Sequence, residues 1–233
     1  MKIKTNIYGF VLTTLFAVLL VTFYACSSGP KAKVVELENK GTGMSVSTPD
    51  WIRVYTAHGI TRLQSQSEFR DRYCVVGEET GINRQFVVAW ADNFSAQQRI
   101  GAMLRTTISS NYQAKVQAAS RTSGLGSPTQ GTSTYQQEID NILNSVINVS
   151  YSGAQRESDW WTLRRRYDPD QKDVYTDSYT AYVLYTIPRS QLNQQVAHAL
   201  ETSVSRDSAL YDITIEMARQ ILREGIPNWG EGE

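Results

Sequence analysis

Residues Ile7 to Ala25 (IYGFVLTTLFAVLLVTFYA) form an uncharged, mostly apolar stretch, and this constrains the fold more than any other feature of the chain. Lys2 and Lys4 precede it, and no acidic residue occurs before Glu36. A run of this length is suited to a bilayer rather than to the core of a small domain. A positive end holds such a segment at the cytoplasmic face while the apolar part enters the membrane, which is the pattern of a secretory signal. The folded protein must therefore be sought after residue 25. Its 208 residues are consistent with one domain, or one domain plus tails.

Cys26 closes the apolar stretch, with Ala25 before it and Ser27-Ser28-Gly29-Pro30 after it. The segment Phe23-Tyr24-Ala25-Cys26 resembles the bacterial lipobox, with Phe23 where Leu is commonest. That resemblance implies diacylation of the Cys26 thiol, cleavage before it and acylation of the new amino group. Several acyl chains together give stable anchoring where one would be marginal. The alternative is that residues 6–25 remain as an uncleaved transmembrane anchor, since about 20 apolar residues can span a bilayer. The expected division is a signal over 1–25, a tether over 26–48, a domain over 49–226 and a tail over 227–233.

Loss of Lys2 and Lys4 takes the formally neutral chain to a net charge of −2. With no basic excess, nucleic acid is not an expected partner. Cys74 is then the only thiol not committed to lipid, so no intramolecular disulfide is available and the core alone must stabilise the domain.

Residues 27–50 are small and polar, and the folded part is expected to begin near Pro49-Asp50-Trp51. Residues 52–70 fit short strands or loop. Tyr73 to Val76 is a short β-prone run ended by Gly77, read as a strand. From Asn83 to about Ala118 apolar residues recur at helical spacing, with Phe86, Trp90, Phe94, Gly101, Leu104, Ile108 and Tyr112 near one inward stripe. A Gly/Ser/Thr/Pro linker over 122–134 leads to a second helix with Tyr135, Ile139, Ile142, Leu143, Val146 and Ile147 facing inward. The period then changes to two. Residues 149–163 and 174–187 read as an antiparallel hairpin around the turn Asp168–Asp173, with Tyr179, Ala181, Val183, Tyr185 and Ile187 on one face. Pro188 opens a final helix that Gly225 and Pro227 end, carrying Leu192, Val196, Leu200, Val204, Tyr211, Ile215, Ala218 and Leu222 on a stripe expected to pack over Val183. The sum is an α+β fold of order β-α-α-β-β-α, with long helices on one face of a small antiparallel sheet.

Chemistry-bearing residues are sparse. His58 and His198 have no local partner that would make a catalytic pair, and Cys74 reads as a small core residue. The glycines of Gly77-Glu-Glu-Thr-Gly81 lack the lysine of a phosphate loop and the spacing of a dinucleotide fold. Asp168, Asp170 and Asp173 could gather round a cation, yet lack the glycine and distal glutamate of an EF-hand, and Asp-Pro-Asp is also what a turn selects for its own backbone. No catalytic, cofactor or metal site is expected. Arg164, Arg165 and Arg166, next to Trp160 and Trp161, could contact an anionic headgroup or glycan, or could be a solvated strand end with its aromatic pair split between core and surface. Because amphipathic aromatics are enriched at interfaces, these five are the candidate partner-binding surface.

Taken together, Pro49-Asp50-Trp51, Val75-Val76-Gly77-Glu78, Ala89-Trp90-Ala91, the strands WWTLRR and YTAYVLYTIPRSQL, and the closing helix resemble the bacterial outer-membrane lipoprotein family of the Lpp-twenty type. The resemblance spans roughly residues 49–204. That family is related to accessory lipoproteins and assembly factors around the flagellar basal body. The resemblance implies a non-enzymatic module held in the outer membrane by lipid at Cys26, with an envelope protein as partner, and brings no active-site residues. The competing expectation is an envelope enzyme, such as a cell-wall hydrolase using Glu157 and Asp159.

Overall fold

The computed structural model describes residues 32–123, 128–149, 152–171 and 173–230; the signal segment and Cys26 lie outside the described residues, as does the side chain of Tyr135. In chain order the elements are β1 (Val34–Asn39), α1 (Asp50–Gln64), β2 (Arg72–Gly81), α2 (Arg84–Trp90), a π-helical turn (Ala91–Ser95), α3 (Ala96–Ser123), α4 (Pro128–Val149), β3 (Gln155–Tyr167), β4 (Tyr175–Pro188), α5 (Arg189–Ser203) and α6 (Tyr211–Glu224). The protein is α+β, with one four-stranded antiparallel sheet in the order β1-β3-β4-β2. Prolines mark three helix starts, Pro128 being the first residue of α4. Pro49 and Pro188 stand immediately before α1 and α5 with φ of −58° and −54°, the value their rings enforce. Asn83 caps α2 by accepting the Phe86 N–H at 3.1 Å. Gly225, at φ 89°, ends α6 in a conformation that favours glycine.

Contacts divide the chain into two compact units. Among the described residues the smaller takes 32–35 together with 165–171 and 173–176. In it Tyr167 N–H donates to the Lys33 carbonyl at 2.9 Å, the Arg165 guanidinium lies 3.7 Å from the Tyr175 ring centroid, and the rings of Tyr167 and Tyr175 meet edge-on. The larger unit holds the described residues of 36–164 and 177–230. There α3 packs on α4, α4 on α5 and α5 on α6, while α1, α2 and α3 each pack on β2.

Both faces of the sheet in the larger unit carry apolar cover. Directly paired residues of β2 and β4 share a face, so Val76 with Leu184 and Glu78 with Tyr182 lie on one side, and Gly77 with Val183 and Glu79 with Ala181 on the other. Tyr182, Leu184 and Trp160 belong to the main core with Trp51, Ile60, Leu63, Leu104, Ile142, Leu200 and Met217. Ala181 and Val183 belong to a separate cluster closed by Val87 and Ala91, with Trp161 and Tyr179 packed against it. The expected packing of Val183 under the Val196/Leu200/Val204 stripe is therefore corrected. Alternation places Val183 on a face, but α2 covers that face, whereas Val196, Leu200 and Val204 enter the main core.

Strand β2 is an outer strand, and side chains close its free edge. Gln64, at the end of α1, accepts the Cys74 N–H at 2.7 Å and donates to the Arg72 carbonyl at 2.7 Å. Trp229 Nε1 donates to the Cys74 carbonyl at 3.0 Å. Ser95, in the π-turn, accepts the Glu78 N–H at 3.0 Å and donates to the Glu78 carbonyl at 2.9 Å. These groups point away from β4, and leaving them bare would offer a template for another strand. Gly77 lets the π-turn come this near, because a Cβ there would stand 2.2 Å from the Ala91 carbonyl oxygen.

Several expectations from the sequence are revised. Residues 34–39, assigned to the tether, form β1, whose strand character comes from pairing beside β3 rather than from burial. Residues 50–64 are a helix, broken in phase at Gly59, where φ 75° and ψ −176° interrupt the helical period that would otherwise reveal it. The linker's residues 128–134 already belong to α4. The final helix is two. Val204 turns extended, and the Ser208 hydroxyl takes the Leu210 N–H at 2.9 Å, a side-chain bond that competes with helix and lets α6 fold back on α5. The new phase of α6 leaves Leu222 half exposed while Thr214, Met217, Ala218 and Ile221 are buried. Residues 227–230 are not tail, since Trp229 is buried against Tyr73, with ring centroids 4.7 Å apart. Finally, Phe86 and Phe94, expected inward, are exposed.

Candidate functional site

A polar groove of about 380 Å³ opens in the larger unit, lined by Tyr55, Thr56, Ala57, Gly59 and Ile60 of α1, Glu78 of β2, Arg164 of β3 and Tyr182 of β4. The register sets Glu78 opposite Tyr182, so both reach the same side of the sheet. Gly59 shapes the α1 wall. Its backbone conformation is one that side chains avoid, although a Cβ there would meet nothing.

Hydrogen bonds hold the groove's polar groups. The Tyr55 O–H donates to Glu78 Oε2 at 3.0 Å, Arg99 donates to the Tyr55 oxygen at 2.8 Å, and the Arg99 guanidinium lies 3.6 Å from Glu78. The Tyr182 ring meets Tyr55 edge-on at 6.1 Å. Burial pushes Tyr55 up to about 12; Arg99 opposes that rise and Glu78 adds to it. Burial likewise raises Tyr182. Both phenols stay protonated at neutral pH, so they serve as hydrogen-bond donors and acceptors rather than as bases. With the Arg164 guanidinium beside them, the groove can recognise a polar or anionic group by charge and hydrogen bonding.

The five residues singled out from the sequence do not form one surface. Trp160 is buried in the main core. Trp161 lies against the second cluster, beneath the Arg84 guanidinium at 4.8 Å and edge-on to Tyr179. Arg164 lines the groove, Arg165 lies over Tyr175 and Arg166 is exposed. Adjacent strand residues point to opposite faces, which separates a pair that the sequence presents side by side.

The carboxylates of the competing enzyme expectation are taken up by cations. Glu157 pairs with Arg72 and accepts the Thr186 hydroxyl at 2.6 Å. Asp159 meets Lys40 Nζ at 2.6 Å and Arg156 at 3.0 Å. Burial by itself would raise Asp159, but the Lys40 hydrogen bond and charge, with Arg156, outweigh it and hold the carboxyl below its ordinary value. A carboxyl so held does not serve as a general acid near neutral pH. Cys74 is buried and its thiol is pushed up to about 12 by that burial, far from the thiolate a nucleophile needs. His58 on α1 and His198 on α5 are both exposed. Asp168 Oδ1 accepts the backbone N–H groups of Asp170 at 2.8 Å and Gln171 at 3.2 Å, the use a turn makes of it. Among the described residues no group of three or more His, Cys, Asp or Glu could hold a metal ion, and no helix is long and apolar enough to cross a membrane.

Of the groove's polar residues Arg164 was singled out from the sequence, whereas Tyr55, Glu78 and Tyr182 carried no signal there, since they lie on three elements that only the fold brings together. Comparison with family models, with curated proteins and with solved structures finds no match to this chain.

Proposed function

We propose that the chain is a lipoprotein of the bacterial cell envelope, held in the outer membrane by acyl chains on Cys26, whose folded domain works as a structural or interaction module for another envelope component. One observation carries this reading: a positively charged start and an uncharged apolar stretch from Ile7 to Ala25, closed by Ala25-Cys26. Strand β1 begins at Val34 and so leaves eight residues, 26–33, between the proposed anchor and the fold. The groove beside Tyr55 and Tyr182 offers recognition chemistry rather than a nucleophile, which favours binding over turnover. The family resemblance points to an assembly partner such as those around the flagellar basal body.

Metabolic labelling with a fatty-acid probe tests the anchor. Cys26→Ser should abolish incorporation and leave an uncleaved precursor; undiminished labelling would refute the lipoprotein reading. Cross-linking in intact envelopes then tests the interaction role. A specific adduct from the groove that Arg164→Glu removes is the expected result, and turnover of peptidoglycan abolished by Glu157→Gln would favour the enzyme instead.

A further inference from the structure

We propose that Ile82, Phe86, Trp90 and Phe94 form an aromatic ridge that the anchored protein lays into the bilayer interface. The inference deepens the lipid-anchored reading above and rests on it. These residues recur every fourth position, and Ile82, Phe86 and Phe94 are 84%, 57% and 50% exposed. The rings stack in sequence, Phe86 on Trp90 with centroids 5.4 Å apart and Trp90 on Phe94 at 4.6 Å. In an α-helix a four-residue step overshoots one turn by about 40°, so such a row winds away around the helix. The π-turn at Ala91–Ser95 is wider and turns less per residue, which brings Phe94 back over Trp90.

The π-turn is held from three sides. Ser95 bonds both backbone groups of Glu78, and the Ala91 backbone rests against Gly77. Asp92 is drawn inward by Arg156 at 3.0 Å and by the Tyr185 hydroxyl. Asp92 is the only acid between residues 82 and 98, so the outward side presents rings, one arginine (Arg84) and uncharged amides such as Asn83, Gln85, Asn93 and Gln97. A rigid apolar row without an exposed carboxylate can enter the headgroup region with little desolvation of charge, and aromatic side chains are favoured there.

Chain length supplies the reason for choosing the bilayer. With β1 beginning at Val34, residues 26–33 can extend at most about 26–29 Å. A lipidated Cys26 would therefore keep the start of the fold within about the thickness of one bilayer from the membrane surface. With Phe86 and Phe94 exposed and Trp90 half-buried between them, a row on a domain so closely held has the bilayer interface within reach.

The test uses the full acylated chain in vesicles of phosphatidylethanolamine and phosphatidylglycerol, with and without acyl-chain-brominated phosphatidylcholine, which quenches tryptophan at bilayer depth. Flotation reports the anchor; quenching reports the ridge. Of the other tryptophans, Trp51, Trp160 and Trp229 are buried and Trp161 is half-buried beneath Arg84, so only the brominated-lipid component lost in Trp90→Phe is assigned to the ridge. The expected result is a quenched, blue-shifted component in the parent chain, absent in Trp90→Phe and weakened in Phe86→Ser/Phe94→Ser, with flotation unchanged in all three. Equal quenching in parent and Trp90→Phe, with flotation intact, overturns the ridge and leaves the anchor standing. Failure to float overturns the anchor and the ridge with it. If the double variant unfolds, Trp90→Phe decides alone. A detergent-solubilised dimer that Phe86→Ser/Phe94→Ser dissolves, without lipid quenching, makes a second copy the occupant and overturns the bilayer proposal.

Discussion

Gly77→Ala probes the close approach on which the β2 edge depends. A Cβ at residue 77 would lie 2.2 Å from the Ala91 carbonyl oxygen, 3.1 Å from the Ala96 nitrogen and 3.2 Å from the Ala91 carbonyl carbon. All three are backbone atoms, so no side-chain rotation relieves the clash. The chain has two ways to respond and takes the cheaper. It can keep its contacts and accept overpacking strain of about 1–3 kcal/mol. Alternatively, the π-turn withdraws from β2 and surrenders the two hydrogen bonds between Ser95 and Glu78, each worth about 0.5–1.5 kcal/mol. Either route costs about 1–3 kcal/mol. With a urea m-value of about 2 kcal/mol/M, the unfolding midpoint of the chain from Ser27 onward should fall by about 0.5–1.5 M at unchanged m. Gly43→Ala is the control. A Cβ there meets nothing and no left-handed φ is required, so stability should hold or rise by about 0.4–1 kcal/mol. A Gly77→Ala protein that unfolds at the parent midpoint would refute the close approach, and with it the account of how the edge is closed.

Other outcomes follow from buried contacts. Tyr112 O–H and Thr214 Oγ1 lie 2.7 Å apart in the interior, and Thr214 O–H donates to the Leu210 carbonyl. Thr214→Val should cost about 1–3 kcal/mol by urea denaturation, and less on a Tyr112→Phe background, where no hydroxyl is left stranded. Leu200→Ala should cost about 2–5 kcal/mol and Val183→Ala should also destabilise. Because the two side chains lie in different clusters, their effects should add within about 0.3–0.5 kcal/mol; strong coupling would contradict the division of the core. Asp159 has its carboxyl depressed in the folded state, so its contribution is complete above the ordinary carboxylate value and is lost as pH falls through the depressed one. Stability measured against pH should decline less on the acid side in Asp159→Asn than in the parent, and identical acid limbs would show that the Lys40 pairing contributes nothing.

Periodicity written into short stretches was enough for some elements. The alternation from Val174 to Ile187 specifies β4 because neighbouring side chains must point to opposite faces whatever the surroundings. Tyr73 to Val76 reads as strand, and the helices after Asn83 and after Pro188 announce themselves through spacing, cap and proline. The proposed signal and its Cys26 are likewise read from the sequence alone, because a bilayer responds to an apolar run before any fold exists.

Tertiary structure decided the rest. Strand β1 (VVELEN) has no buried residue and becomes strand by pairing, which its two valines and short Val-Glu-Leu-Glu alternation do not fix by themselves. Helix α1 hides behind Gly59, and Trp229 looks like tail until Cys74 and Tyr73 are placed beside it. The row Phe86, Trp90, Phe94 has the spacing of a core stripe, and in isolation it is indistinguishable from one. Spacing reports that side chains share a side of a helix. Which side is covered depends on what packs there, and β2 with β4 took Val87 and Ala91 instead, leaving Phe86 and Phe94 exposed with Trp90 half-buried between them. The groove shows the same limit, since Tyr55, Glu78 and Tyr182 become neighbours only through strand register and the break in α1.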